Sequence, residues 1–133
     1  TTEIYTLSLH DALPISGRIL QIVAQSSKKV SEMLADLPET AYTPEIRIDC
    51  PDDKKFEIVR ELTEFFKNQY DVIDIDGVRI NFDNGWALIR ASNTQPVLVL
   101  RFEAETQTRL EELIRIVKKQ MDRYQPVVQF NYH

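Results

Sequence analysis

The sequence predicts an α+β domain, a mostly antiparallel sheet with two helices on one face, in the order β-α-β(4)-α from residue 45 onward. Three observations predict it. Residues 54–67 and 108–121 each repeat apolar side chains at helical spacing. Between them, residues 72–104 hold four strand-like runs in close succession, broken by Asp76-Gly77, Asn84-Gly85 and a Ser/Asn/Thr/Gln/Pro segment. Strands that follow one another directly, with helices set apart, pair antiparallel rather than alternating as in a parallel sheet.

Along the chain, residues 1–16 (TTEIYTLSLHDALPIS) mix short apolar alternation with Pro14 and offer no chemical role. From Arg18, Ile19, Leu20, Ile22 and Val23 recur at helical spacing up to Ala24, where Ser26-Ser27 breaks the pattern. Ser31 is the expected cap of a second short turn carrying Met33, Leu34 and Leu37, stopped by Pro38. Residues 17–40 therefore read as a helical segment and linker, with a domain boundary near residue 40 and the linker running from Glu39 to Pro44.

The domain proper is expected over residues 41–124. Glu45 to Cys50 alternates apolar and polar residues like a half-buried strand. Pro51-Asp52-Asp53 offers a turn, an N-cap and negative charge at the positive end of the helix dipole. The helix that follows should bury Phe56, Val59, Leu62, Phe65 and Phe66 and leave Lys54, Lys55, Glu57 and Arg60 outside. Val72–Ile75 should meet Val78–Phe82 across Asp76-Gly77, and Asn84-Gly85 should form the next turn. Trp86–Ala91 and Val97–Ala104 read as apolar on both faces, hence central strands. Thr108 and Glu111 match a capping box for the last helix, whose buried stripe is Leu110, Leu113, Ile114, Val117 and Met121. Residues 125–133 form a tail with no clear element.

Composition narrows the chemistry. The 133 residues include three glycines, two histidines and one cysteine. His10 and His133 stand near opposite termini, so there is no zinc ligand set and no histidine-centred triad in the body of the chain. Gly17, Gly77 and Gly85 are too dispersed for a glycine-rich phosphate loop. No catalytic or metal-ligating residue is assigned. With 16 Lys+Arg against 21 Asp+Glu the net charge is −5, which argues against nucleic-acid or membrane-surface partners. Cys50, alone, reads as a small buried hydrophobe in a reducing, cytoplasmic setting. The longest uncharged stretch, near Ala91–Leu100, is about half a membrane span, and no signal peptide is evident.

One segment invites chemistry. Between the two most apolar strands lies Arg90-Ala91-Ser92-Asn93-Thr94-Gln95-Pro96, and from Gly85 to Phe102 the only charges are Arg90 and Arg101. A guanidinium fork matches phosphate or carboxylate oxygens, Ser92 and Thr94 offer hydroxyls, and Asn93 offers an amide and tolerates left-handed backbone that could shape an anion nest without glycine. Physical argument alone leaves two readings open: an anion-binding loop, or a polar hairpin turn flanked by edge arginines. A four-residue loop over 93–96 would pair Arg90 with Val99 and put Arg101 on the same sheet face as Arg90.

The run DGVRINFDNGWALIRASNTQPVLVLRFEAET, Asp76 to Thr106, closely resembles the C-terminal domain of bacterial phosphomannomutases/phosphoglucomutases, in the α-D-phosphohexomutase family. The shared pattern is DGV-R followed by GW-L-RASNT-PVLVLRFEA, and the resemblance runs more loosely from Gly17 to Tyr124. It implies a TATA-binding-protein-like β-α-β(4)-α domain. The family interconverts hexose 1- and 6-phosphates with a phosphoserine, a magnesium ion and a four-domain cleft, and this domain supplies the loop gripping the phosphate that is not transferred. That role would fall on Arg90, Ser92, Asn93 and Thr94, with Arg101 in a supporting electrostatic role. The phosphoserine, magnesium and sugar-loop segments are missing here, so no cofactor is expected in this chain. Its partners would be the phosphosugar and the remaining domains, and the chain alone would be inactive. Residues 1–16 match nothing in the family and are expected to be a non-native leader. Alternatives to this reading are a non-catalytic interaction module and a regulatory module for another anion.

Overall fold

A computed structural model describes residues 9–130 of the chain, so the first half of the expected leader and the last three residues lie outside the described residues. The chain divides into two compact units at Pro38/Glu39. In the first, helix α1 spans Leu9–Gln25. It starts well before the expected Arg18 and runs through Pro14, which forgoes one intrahelical hydrogen bond. Helix α2, Val30–Met33, contains Ser31 rather than being capped by it. Glu32 Oε2 reaches back instead and accepts from the Lys29 N–H at 3.0 Å.

The second unit is an antiparallel sheet backed by two helices. The order is β1 (Ala41–Tyr42), β2 (Ile46–Asp49), α3 (Asp52–Lys67), β3 (Asp71–Ile73), β4 (Val78–Phe82), β5 (Gly85–Ala91), β6 (Val97–Ala104) and α4 (Gln107–Met121). Strands β3, β4, β5 and β6 pair in sequence as a meander, and both β1 and β2 pair with β6. The expected linker 39–44 thus contains a strand. Thr43 extends this pairing: its N–H donates to the Phe102 carbonyl (3.0 Å), and its hydroxyl accepts from the Phe102 N–H (3.2 Å).

Strand alternation sorts the sheet into two faces. Ile48, Ile80, Ala87, Ile89, Leu98, Leu100 and Phe102 enter one core with Leu62 and Phe66 of α3 and Leu113 and Val117 of α4. Trp86, Leu88 and Arg90 point the other way and are only half-buried, which corrects the expectation that β5 is covered on both faces. An antiparallel sheet tolerates one solvated face because its crossovers are short hairpins.

Helix α3 is rotated from its expected face. Its buried residues are Lys55, Ile58, Val59, Leu62 and Phe66, whereas Phe56 is 55% exposed and Phe65 is only partly buried. The rotation is possible because Lys55, 3% exposed, has partners for its charge: Nζ donates to Asp52 Oδ1 (2.6 Å) and to the Gln95 carbonyl (3.0 Å). A buried ammonium at the start of α3 thereby holds the β5–β6 loop. The Cys50 N–H adds a second tie, donating to the Pro96 carbonyl at 2.8 Å. No side chain caps α3, although Asp52 and Asp53 sit in its first turn. Helix α4 begins earlier than expected, and its cap is Thr106, whose hydroxyl accepts from the Arg109 N–H (3.2 Å) in place of Thr108 and Glu111. Its buried stripe is the expected one.

The tail over residues 125–130 has no regular element, yet it closes the core. Val128 and Phe130 are buried, and Phe130 stacks on Phe102 with ring centroids 6.3 Å apart. Just before it, Tyr124 donates its hydroxyl to Glu61 Oε2 at 3.0 Å. Burial, with the adjoining Glu61 carboxylate, pushes the Tyr124 phenol up to about 12.

Two measurements check these ties. The folded chain holds the Tyr124 proton more tightly than the unfolded chain, so that stability is present below about pH 10 and is lost as pH rises toward about 12. Urea midpoints across that window should fall more steeply for the parent chain than for Tyr124→Phe. Lys55→Met keeps the buried stem and removes both hydrogen bonds. It should cost about 1–3 kcal/mol in urea unfolding, since Asp52 is exposed enough to recover water, and should speed amide exchange at Ser92–Val97.

Candidate functional site

The site is built on the β5–β6 hairpin. The Ser92 N–H donates to the Val97 carbonyl at 3.0 Å, Arg90 stands opposite Val99 and Leu88 opposite Arg101. This is the four-residue-loop register, and Arg90 and Arg101 share the outer face. Within the loop Ser92 Oγ accepts from the N–H groups of Gln95 (3.2 Å) and Thr94 (3.4 Å). The hydroxyl oxygen therefore helps shape the turn. Asn93 does not take the left-handed conformation: among the described non-glycine residues only Asn84 has positive φ, 60°. The nest built on a left-handed Asn93 is therefore absent, because the Ser92 hydroxyl already reverses the chain. The Asn93 and Thr94 side chains make no hydrogen bond among the described residues, which leaves their polar groups free for a ligand.

Four of the five predicted residues converge. Arg90, Ser92, Asn93 and Thr94 line a cavity of about 270 Å³, together with Val99, Arg47, Glu45 and Asp76. Arg101 does not line it. Its Nη2 lies 3.8 Å from Glu45 Oε2, so it meets the site only through that carboxylate.

Carboxylates from outside the Gly85–Phe102 segment oppose the site's arginines. Asp76 Oδ2 lies 3.6 Å from Arg90 Nη1, and Glu45 Oε1 lies 3.4 Å from Arg47 Nη1. Neither was visible beside Arg90 in the sequence, because one comes from the β3–β4 loop and the other from the residue just before β2. These pairs are solvent-exposed and worth under about 1 kcal/mol each, so a better anion can displace them.

Gly77 explains how Asp76 arrives there. Its φ is 86°, and a Cβ at this position would lie 2.7 Å from Arg90 Cβ and collide with the Ile89 carbonyl. Only glycine lets the loop backbone press against β5 at Arg90. For the same reason the expected tight turn is a longer crossing: β3 stops at Ile73, paired with Arg79, and Ile75 is exposed. The second turn consists of Asp83-Asn84, with Gly85 already paired to Phe82.

Arg47 is the residue that sequence reasoning missed. The alternation EIRIDC puts it on the outer face, but its place beside Arg90 depends on β2 pairing with β6, where Arg47 stands opposite Val99. Among the described residues, no three His, Cys, Asp or Glu side chains gather where they could hold a metal. No helix among them is long and apolar enough to cross a membrane. The arrangement has the guanidinium, hydroxyl and amide donors to bind and orient a small anion.

Comparison with known proteins agrees with this architecture. The family model described as phosphoglucomutase/phosphomannomutase, C-terminal domain, matches residues 45–120. The chain is 37% identical over 123 residues to the phosphomannomutase/phosphoglucomutase of Pseudomonas putida, an overlap of 92% of this chain and 27% of that protein. It is likewise 37% identical over 126 residues to a phosphoglucomutase of Neisseria gonorrhoeae, covering 92% of this chain and 26% of the relative. A crystal structure of a phosphoglucomutase/phosphomannomutase family protein from Burkholderia thailandensis aligns with a TM-score of 0.72 at 30% identity, over 92% of this chain and 26% of that one. The chain thus spans about a quarter of the length of these relatives. Sequence and fold agree over the segment that carries the site, and the chain belongs to the phosphoglucomutase/phosphomannomutase C-terminal domain family.

Proposed function

We propose that this domain grips the non-transferred phosphate of a phosphosugar within a phosphohexomutase that interconverts hexose 1- and 6-phosphates. The observation that carries the reading is the convergence of Arg90, Ser92, Asn93 and Thr94 on one cavity of an otherwise acidic chain. Arg90 supplies a charged fork for two phosphate oxygens, and Asn93 and Thr94 supply neutral hydrogen bonds that fix the phosphate's rotation. Ser92 holds the loop in shape. Catalysis by such a site is positional: anchoring one phosphate presents the far end of the sugar to reactive groups elsewhere, and the guanidinium offsets anionic charge.

Those reactive groups would belong to the remaining domains of the parent enzyme, as would its magnesium, and the isolated chain would be inactive. The relatives include a phosphomannomutase/phosphoglucomutase and a phosphoglucomutase, and a loop that touches only phosphate is compatible with either sugar. Exposed Ile15, Ile19, Leu20 and Ile22 on α1 fit a helix that packs on further protein in the parent.

Titrating inorganic phosphate into the 15N-labelled chain should shift the amide signals of Ser92, Asn93 and Thr94, with affinity in the millimolar range. Arg90→Ala should abolish those shifts while leaving the rest of the spectrum in place. Unshifted loop amides in the parent chain at tens of millimolar phosphate would exclude the reading.

A further inference from the structure

We infer that Arg47 is a second guanidinium of the anion site, gripping the phosphate from the side opposite Arg90. The inference rests on the phosphate reading above and adds a residue that the loop motif does not contain. Two ladders place it. Arg47 pairs with Val99 across the β2–β6 ladder, and Arg90 pairs with the same Val99 across the β5–β6 ladder. The two arginines therefore flank one residue on one face, two strand spacings or about 10 Å apart at the backbone.

Val99 shows where their side chains lie. It sits on the otherwise solvated outer face, yet it is only 3% exposed. Arg47 and Arg90 are its neighbours across the two ladders on that face, and all three residues line the same cavity. An anion seated above Val99 meets a guanidinium on each flank and the Asn93 and Thr94 side chains at the loop end.

Arg47 is held ready rather than locked in place. It hydrogen-bonds to the Gln95 side chain, so a loop residue aims it toward the site, and its ion pair with Glu45 is 3.4 Å long with Arg47 half exposed. A phosphate dianion offers more charge and better geometry for a fork than this single carboxylate. Arg47 differs from Arg101, which lies outside the cavity and touches only Glu45.

The test compares phosphate titrations of the parent chain, Arg47→Gln and Arg60→Gln, read at the Ser92–Thr94 amides. Arg60 is an exposed arginine on α3, so its variant makes the same change in net charge away from the site. Arg47→Gln should raise the phosphate Kd about 3- to 10-fold, the scale of one partly exposed charge-assisted hydrogen bond, and Arg60→Gln should leave it unchanged. Equal Kd values for Arg47→Gln and the parent chain overturn the inference while leaving the phosphate reading intact. Equal weakening by both variants reduces the effect to net charge and also overturns it. Loop shifts absent in the parent chain overturn the phosphate reading itself, and the inference falls with it.

Discussion

The register of β5 against β6 is the constraint on which everything else depends. Because side chains alternate along a strand, fixing Ser92 opposite Val97 sends Ala87, Ile89, Leu98 and Leu100 to the helices and Arg90, Val99 and Arg101 to the open face. A slip of one residue would put Arg90 beneath α3 and α4, where an unpaired guanidinium costs several kcal/mol. Local chemistry guards against that slip. The Ser92 hydroxyl closes the loop, and Lys55 and the Cys50 N–H fasten Gln95 and Pro96 to the start of α3.

Sequence patterns revealed this register because it follows from local facts: two apolar runs, a short polar loop and a period of two. They also revealed the buried stripe of α4, where all five expected residues are buried. The face of α3 was misread for an equally physical reason. Lys55 would be expelled by any rule that ranks residues by hydrophobicity, and its burial is tolerable because Asp52 and the distant Gln95 carbonyl both accept from its ammonium. Phe56 is exposed as the counterpart of that substitution, with the Lys55 ammonium 5.1 Å from its ring. The role of Gly77 was hidden in the same way. A DG dipeptide suggests a tight hairpin, whereas here its value is the missing side chain, which lets the loop lie on β5.

Within the site, the residues contiguous in sequence were legible and the residues contributed by topology were not. Arg90 to Thr94 form one run, and their convergence needs only a hairpin. Arg47, Glu45 and Asp76 reach the cavity through strand pairing and a loop crossing, at separations in sequence that no spacing rule covers. Their arrival changes the electrostatic character of the site. The arginines are balanced by carboxylates, so the unliganded chain avoids an exposed cluster of like charge on its sheet face. The balancing pairs are long and solvated, and on the proposed reading an incoming phosphate would exchange weak partners for stronger ones.

On the proposed reading, this arrangement would hold its phosphate only weakly by itself. Its cavity opens on a sheet face in water, where each charge-assisted contact is screened and total affinity stays low. Covering that face with another protein surface would exclude water and raise the value of every contact already present, with no change in this chain. What the chain contributes beforehand is order. Ser92, Lys55 and the β5–β6 ladder hold the loop in one shape, so the entropy of arranging Asn93 and Thr94 around a phosphate is met on folding rather than on binding. Rigidity supplied by this chain and desolvation supplied by a covering surface are separable contributions, and a preformed loop with weak binding is the expected result of having only the first.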